Sequence, residues 1–154
     1  MMKILRSSIV LVMVLLLAGC GSNSSVSSDG VKKCTRTGTV TNGSTEMNYE
    51  VYYKGEYVVL LHSTEKIISD SSSVLDTYEE AYKNIFKQYE GLEYYDNKIT
   101  RNSNTNEITI NYEKIDMGKL LDIEGEEDNV IENGKVKLDT WLSFAKKYGV
   151  TCED

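Results

Sequence analysis

The chain contains no proline, one histidine, one tryptophan and three cysteines in 154 residues. With a single imidazole, His62, no multi-histidine metal site can form, and a Ser-His-Asp constellation would rest on that residue alone. His62 falls in the predicted strand Val58 to Ser63. The ordinary role there is a strand histidine facing solvent or hydrogen-bonded locally; a catalytic base is the rarer one. Gly-rich phosphate loops, CxxC pairs and HExxH motifs are absent too. Positive charge is scarce: 17 Lys and Arg stand against 24 Asp and Glu. That excludes the basic surface a nucleic-acid ligand requires. No residue stands out as catalytic, and no cofactor or metal is implied. The length fits one ordinary domain and is too short for the paired lobes of a transporter's solute-binding protein.

What is present begins at the amino end. Lys3 and Arg6 precede an unbroken apolar run from Ile9 to Ala18, which closes in Leu17-Ala18-Gly19-Cys20. Such a run is too short for a permanent span, which needs about 20 residues, and it has the layout of a signal peptide. Its ending looks like the lipobox of bacterial lipoproteins. The expectation is that residues 1–19 are removed and Cys20 becomes the first mature residue, carrying a diacylglyceryl group. An uncleaved transmembrane anchor is the competing reading, disfavoured because no basic stop follows. Two or more acyl chains hold a protein on a bilayer where one does not. Lys3 and Arg6 would leave with the leader and no acid would, taking the net charge from −7 to −9. Residues 20–33, rich in Ser and Gly, read as a tether that cannot offset its own ordering entropy.

With Cys20 lipidated, Cys34 and Cys152 remain, one at each end of the folded part (34–154). In an oxidising compartment a disulfide is their natural pairing, and two free thiols are the alternative. Between them, Thr35, Thr37, Thr39 and Thr41 alternate up to Asn42-Gly43, a hairpin signal. Met47, Tyr49, Val51 and Tyr53 then alternate with polar neighbours, as in a half-covered sheet. A third strand runs from Tyr57 toward Ile68. The spacing of Leu75, Tyr78, Ala81, Tyr82, Ile85, Phe86 and Tyr89 predicts a helix over Val74 to Glu90, with acids in its first turns and Gly91 as its cap. Strands follow over Glu93 to Arg101 and Glu107 to Glu113. A short helix capped by Asp116 comes next, and then an acidic loop. A last helix over Asp139 to Tyr148 buries Leu138, Trp141, Leu142, Ala145 and Tyr148, and Val150-Thr151-Cys152 is an extended tail. The order β-β-β-α-β-β-α predicts an α+β domain: an antiparallel meander of about five strands with helices on one face.

Two groups invite a binding role. Asp122, Glu124, Glu126, Glu127 and Asp128 are ligands of the type that calcium takes, but their spacing does not match a calcium loop, and a solvated loop is the better reading. Tyr52, Tyr94 and Tyr95 are candidates for the sheet face away from the helices, where an exposed tyrosine platform stacks on sugars or peptides. Aromatics are also simply good strand formers.

The order of Tyr52-Tyr53-Lys54-Gly55, Glu79-Glu80-Ala81 through Tyr89-Glu90-Gly91, Asn111-Tyr112-Glu113-Lys114 and the Leu-rich turn after Asp116 resembles the YehR-like bacterial lipoproteins. The resemblance spans most of Met47 to Lys147. It implies a fold and an extracytoplasmic address, and it transfers no catalytic residue. The Cys34 and Cys152 pair and the acidic loop depart from it. The expectation is a lipid-anchored domain on the outer face of a cell membrane, with the Lys-, Asn-, Ile- and Tyr-rich composition leaning toward a Gram-positive host. Its partners would be the membrane and an envelope protein or glycan. The competing classes are an envelope hydrolase assembled only in three dimensions and an accessory lipoprotein of a transport or signalling system.

Overall fold

Alternating β-branched and polar residues in the first third of the chain form three long strands: β1 (Gly30–Val40), β2 (Gly43–Lys54) and β3 (Tyr57–Ser69). The computed structural model describes residues 26–125 and 130–153. After β3 come α1 (Ser72–Lys87), β4 (Tyr95–Thr100), a 3-10 turn at Arg101–Ser103, β5 (Thr105–Asn111) and α2 (Met117–Glu124). A small hairpin, β6 (Ile131–Glu132) and β7 (Lys135–Val136), leads into α3 (Leu138–Lys147) and β8 (Thr151–Cys152). The main sheet is antiparallel in the order β4-β5-β3-β2-β1-β8. The expected α+β architecture holds, and the extended tail supplies the sixth strand.

Directly opposed residues share a face of a sheet, so the register sorts the side chains. Lys32, Val51, Leu61, Ile110 and Tyr95 form one row. Cys34, Tyr49, Ser63 and Ile108 form the next, then Arg36, Met47, Glu65 and Asn106, then Gly38, Thr45 and Ile67. The helices cover this face. Val51, Leu61 and Ile110 meet Leu120, Val136, Trp141 and Ala145 in the core, each large apolar side chain contributing about 1.5–3 kcal/mol on burial. The other face carries polar rows such as Lys33, Glu50, His62, Thr109 and Asp96. Tyr52 pairs with Leu60 and Tyr53 with Val58, leaving Val59 as a bulge. The extra residue lets the consecutive Val58 and Val59 both be buried.

Several local expectations shift. β1 begins at Gly30, so the last four residues expected in the tether are strand. The first hairpin turns at Thr41-Asn42, with Asn42 at φ 58°, while Gly43 pairs with Val40 inside the ladder. A Cβ on Gly43 would collide with the backbone carbonyl of Ile68. That glycine is therefore required by close approach and not by the turn. A true two-residue Asn-Gly turn lies elsewhere: Asn133 and Gly134, both at positive φ, join β6 to β7. α1 starts two residues early and has no acid in its first turn. It ends at Lys87, so Gly91, at φ 80°, closes the turn beyond it. Asp116 caps α2 as expected, its carboxylate accepting from the Lys119 N–H at 3.2 Å.

Candidate functional site

A cleft of 390 Å³ opens between the covered face of the sheet and α3. Its sheet wall follows from the two-residue period: Arg36, Tyr49, Leu61 and Ile110 come from four neighbouring strands and all point toward the helices. Its helical wall follows from the 3.6-residue period, which brings Trp141, Phe144 and Ala145 to one side of α3, with Tyr148 just past the helix end. Tyr112 and Glu124 close one end and Arg36 the other. Two sheet rows separate Arg36 from Leu61 and Ile110, about 13 Å at ~3.3 Å per residue. The cleft is thus an aromatic trough with a cation at one end and a carboxylate at the other.

The tyrosines at the Glu124 end are packed together. Tyr89 stacks on Tyr95 with ring centroids 4.1 Å apart and planes 6° from parallel. Burial pushes the Tyr95 and Tyr112 phenols far above their ordinary range, and Glu124 adds in the same direction. They stay neutral O–H groups at physiological pH. Burial also raises the Glu124 carboxyl, partly offset by a hydrogen bond from Tyr89. At the other end burial raises Glu65, with Arg36 pulling it back, and burial raises Tyr49. Arg36 makes no ion pair with a described residue.

A disulfide fixes the helical wall. Cys34 on β1 and Cys152 on β8 are bonded, Sγ to Sγ at 2.09 Å, across directly opposed strand positions. Cys34 is 1% exposed. The bond ties the chain just after α3 to the sheet, and neither sulfur is available as a nucleophile. The outer edge of β1 is covered by β8 only at Cys34 and Thr35 among the described residues.

The tyrosine platform does not form. Tyr52 lies on the open face, its hydroxyl donating to Glu50 Oε2 at 3.2 Å. Tyr95 lies on the covered face and is buried. Tyr94 precedes β4 at φ 67°, with the Lys114 ammonium 5.6 Å above its ring. Residues placed on opposite faces of a sheet cannot share a ligand. His62 is also on the open face, its Nδ1 2.9 Å from Thr109 Oγ1, so the sole imidazole is separated from the cleft by the sheet itself. Cys20 and residues 126–129 of the acidic loop lie outside the described residues. Among the described residues no cluster of His, Cys, Asp and Glu is arranged to hold a metal. None of their helices is long and apolar enough to cross a membrane.

Sequence reasoning placed Trp141 and Ala145 on the right stripe but missed the cleft as a site. One signal was readable: Arg36 shares the alternation of Cys34, so a charged residue had to face inward.

No family model and no curated protein matches the chain. Among solved structures, the NMR structure of the E. coli YehR protein is similar with a TM-score of 0.57 and 18% identity, over 80% of this chain and 91% of that one. The NMR structure of a protein from Streptococcus pneumoniae TIGR4 is similar with a TM-score of 0.50 and 16% identity, over 99% of both. At such identities the likeness is one of architecture: the domain has a YehR-like fold.

Proposed function

We propose that this protein is a non-enzymatic, lipid-anchored binding domain of the cell envelope, held at the outer membrane surface through Cys20, whose cleft receives an extended segment of an envelope protein. The observation that carries the reading is the trough itself. Aromatic walls supply area at low entropy cost, and Arg36 and Glu124 give it a polarity that orients a chain. Beside Arg36, the β1 edge beyond Thr35 offers backbone groups to which an extended segment adds as a strand. The overall acidity favours a basic partner.

Trp141 is the only tryptophan in the sequence and lines the cleft, so it reports occupancy directly. The probe is a dansyl-labelled hexapeptide of alternating Val and Thr with one Phe and a terminal Lys. Saturable energy transfer from Trp141 is expected, with affinity roughly tenfold weaker in Phe144→Ala, about 1.4 kcal/mol. Absence of transfer at any peptide concentration overturns the cleft as the binding surface. Anchoring has its own test: Cys20→Ala releases the protein into the soluble fraction, and membrane retention of that variant contradicts it.

A second reading, an envelope hydrolase, has one observation behind it: the carboxyl of Glu124, which lines the cleft and is raised by burial. His62 takes no part in it. A hydrolase screen in which Glu124→Gln removes activity while His62→Ala keeps it would favour this reading over simple binding.

A further inference from the structure

The third and fourth rows of the covered face lead away from the cleft and end under α1, where Ile67, Ile99 and Asn106 form a floor. Leu75, Tyr78 and Glu79 of α1 form the roof, and the turn from Arg101 to Asn104 forms the rim. The partly open pocket has a volume of 320 Å³ and shares no lining residue with the cleft. Small-molecule sites begin near about 300 Å³.

The polar groups of this pocket are unevenly used. Asn106 is 6% exposed, and its carboxamide enters none of the side-chain hydrogen bonds of the described residues. A carboxamide brings two N–H donors and one acceptor oxygen. Its polar atoms are not sealed from solvent, so they stand open to pair with whatever enters the pocket. The neighbouring Thr100 Oγ1 is shielded from solvent and likewise finds no partner. The charged groups, by contrast, are committed. Arg101 holds Asp76 at 2.7 Å and Glu79 at 3.5 Å, and Lys83 also pairs with Glu79. The pocket offers no surplus charge to an ion. It offers amides, hydroxyls and the apolar surfaces of Ile67, Leu75 and Ile99, with the Tyr78 ring beside them.

We propose that this pocket binds an uncharged polyhydroxylated ring, one sugar unit of a glycan, through a paired donor and acceptor from Asn106 to neighbouring ring hydroxyls. The C–H face of the ring rests on the isoleucines and Tyr78. Asn102 and Asn104 at the rim bond the outward hydroxyls. The site is independent of the cleft, so the domain has two separate binding surfaces.

The test is a titration of the ¹⁵N-labelled full chain in phospholipid bicelles with glucose and with N-acetylglucosamine, with sodium phosphate and glycerol as comparisons. Saturable shifts are expected at the backbone amides of Ile67, Asn104 and Asn106, with the Trp141 indole unmoved. Asn106→Leu, close in shape, weakens binding by at least about tenfold, a loss of ~1.4 kcal/mol. Asn102→Ala, an exposed rim change, weakens it less and leaves the rest of the spectrum unchanged. Three outcomes overturn the proposal: no saturable shift with either sugar, equal binding by both variants, or phosphate moving the same amides at lower concentration.

Discussion

Helices α1 and α3 carry equally clear amphipathic stripes and have opposite fates. The sixteen residues of α1 bury only Phe86, and Ile85 is 44% exposed. The ten residues of α3 bury Trp141 and Ala145. The difference lies in what faces each helix. Under α3 the sheet presents Tyr49, Leu61 and Ile110, whereas at the α1 end the covered rows present Thr45, Asn106 and Ile67. A stripe shows which side of a helix turns inward; the depth of burial is set by the partner surface. One end became a sealed core with an aromatic cleft, and the other a loosely roofed polar pocket.

The largest test of this contrast is removal of the disulfide. Cys34→Ala with Cys152→Ala frees a link spanning 118 residues, and the chain-entropy model puts the loss at about 4–5 kcal/mol. Denaturant unfolding measures it. Hydrogen exchange should quicken first over α3 and β8 while α1 keeps its own faster rate. Uniform quickening would mean the two ends are one cooperative unit. Next is the pair Trp141→Ala and Ile85→Ala. The first is expected to cost about 3–5 kcal/mol and the second no more than about 0.5 kcal/mol. Comparable losses would remove the distinction between the helices.

Smaller still, Asp116→Ala removes the α2 cap for about 1 kcal/mol, read as a shift of the same denaturation midpoint. The last test is pH. Glu65 and Glu124 are both raised in the folded state by burial, so the folded form binds protons more tightly than the unfolded one. Their favourable contribution is present below the ordinary carboxylate range and is lost as pH rises through their raised values. Glu65→Gln and Glu124→Gln should each flatten the decline of stability from mildly acid to neutral pH. A steeper decline in either would contradict burial as the cause.

Much of the fold was readable from local chemistry. Alternation of Met47, Tyr49 and Val51 gave the covered strand, Asp116 gave the α2 cap, and a lone pair of downstream cysteines gave the disulfide. Turn registers were less readable. Asn42-Gly43 and Asn133-Gly134 are the same dipeptide, yet only the second forms the two-residue loop, because Gly43 is held in the ladder by its approach to Ile68. The candidate site was hardly readable at all. Arg36, Tyr49, Tyr112, Glu124 and Trp141 come from four separate elements and the turn after β5, and no local pattern links them.

By itself the sequence determined the class of the domain, the inward side of β2 and of the helices, and the pairing of its two terminal cysteines. These follow from periodicity and from covalent chemistry, which act over a few residues or through one bond. The tertiary structure alone decided that the tyrosines would part to opposite faces, that His62 would stand away from the cleft, and that Asn106 would be buried beneath α1. Those outcomes depend on the pairing register of distant strands, where moving by one residue turns a side chain from one face to the other.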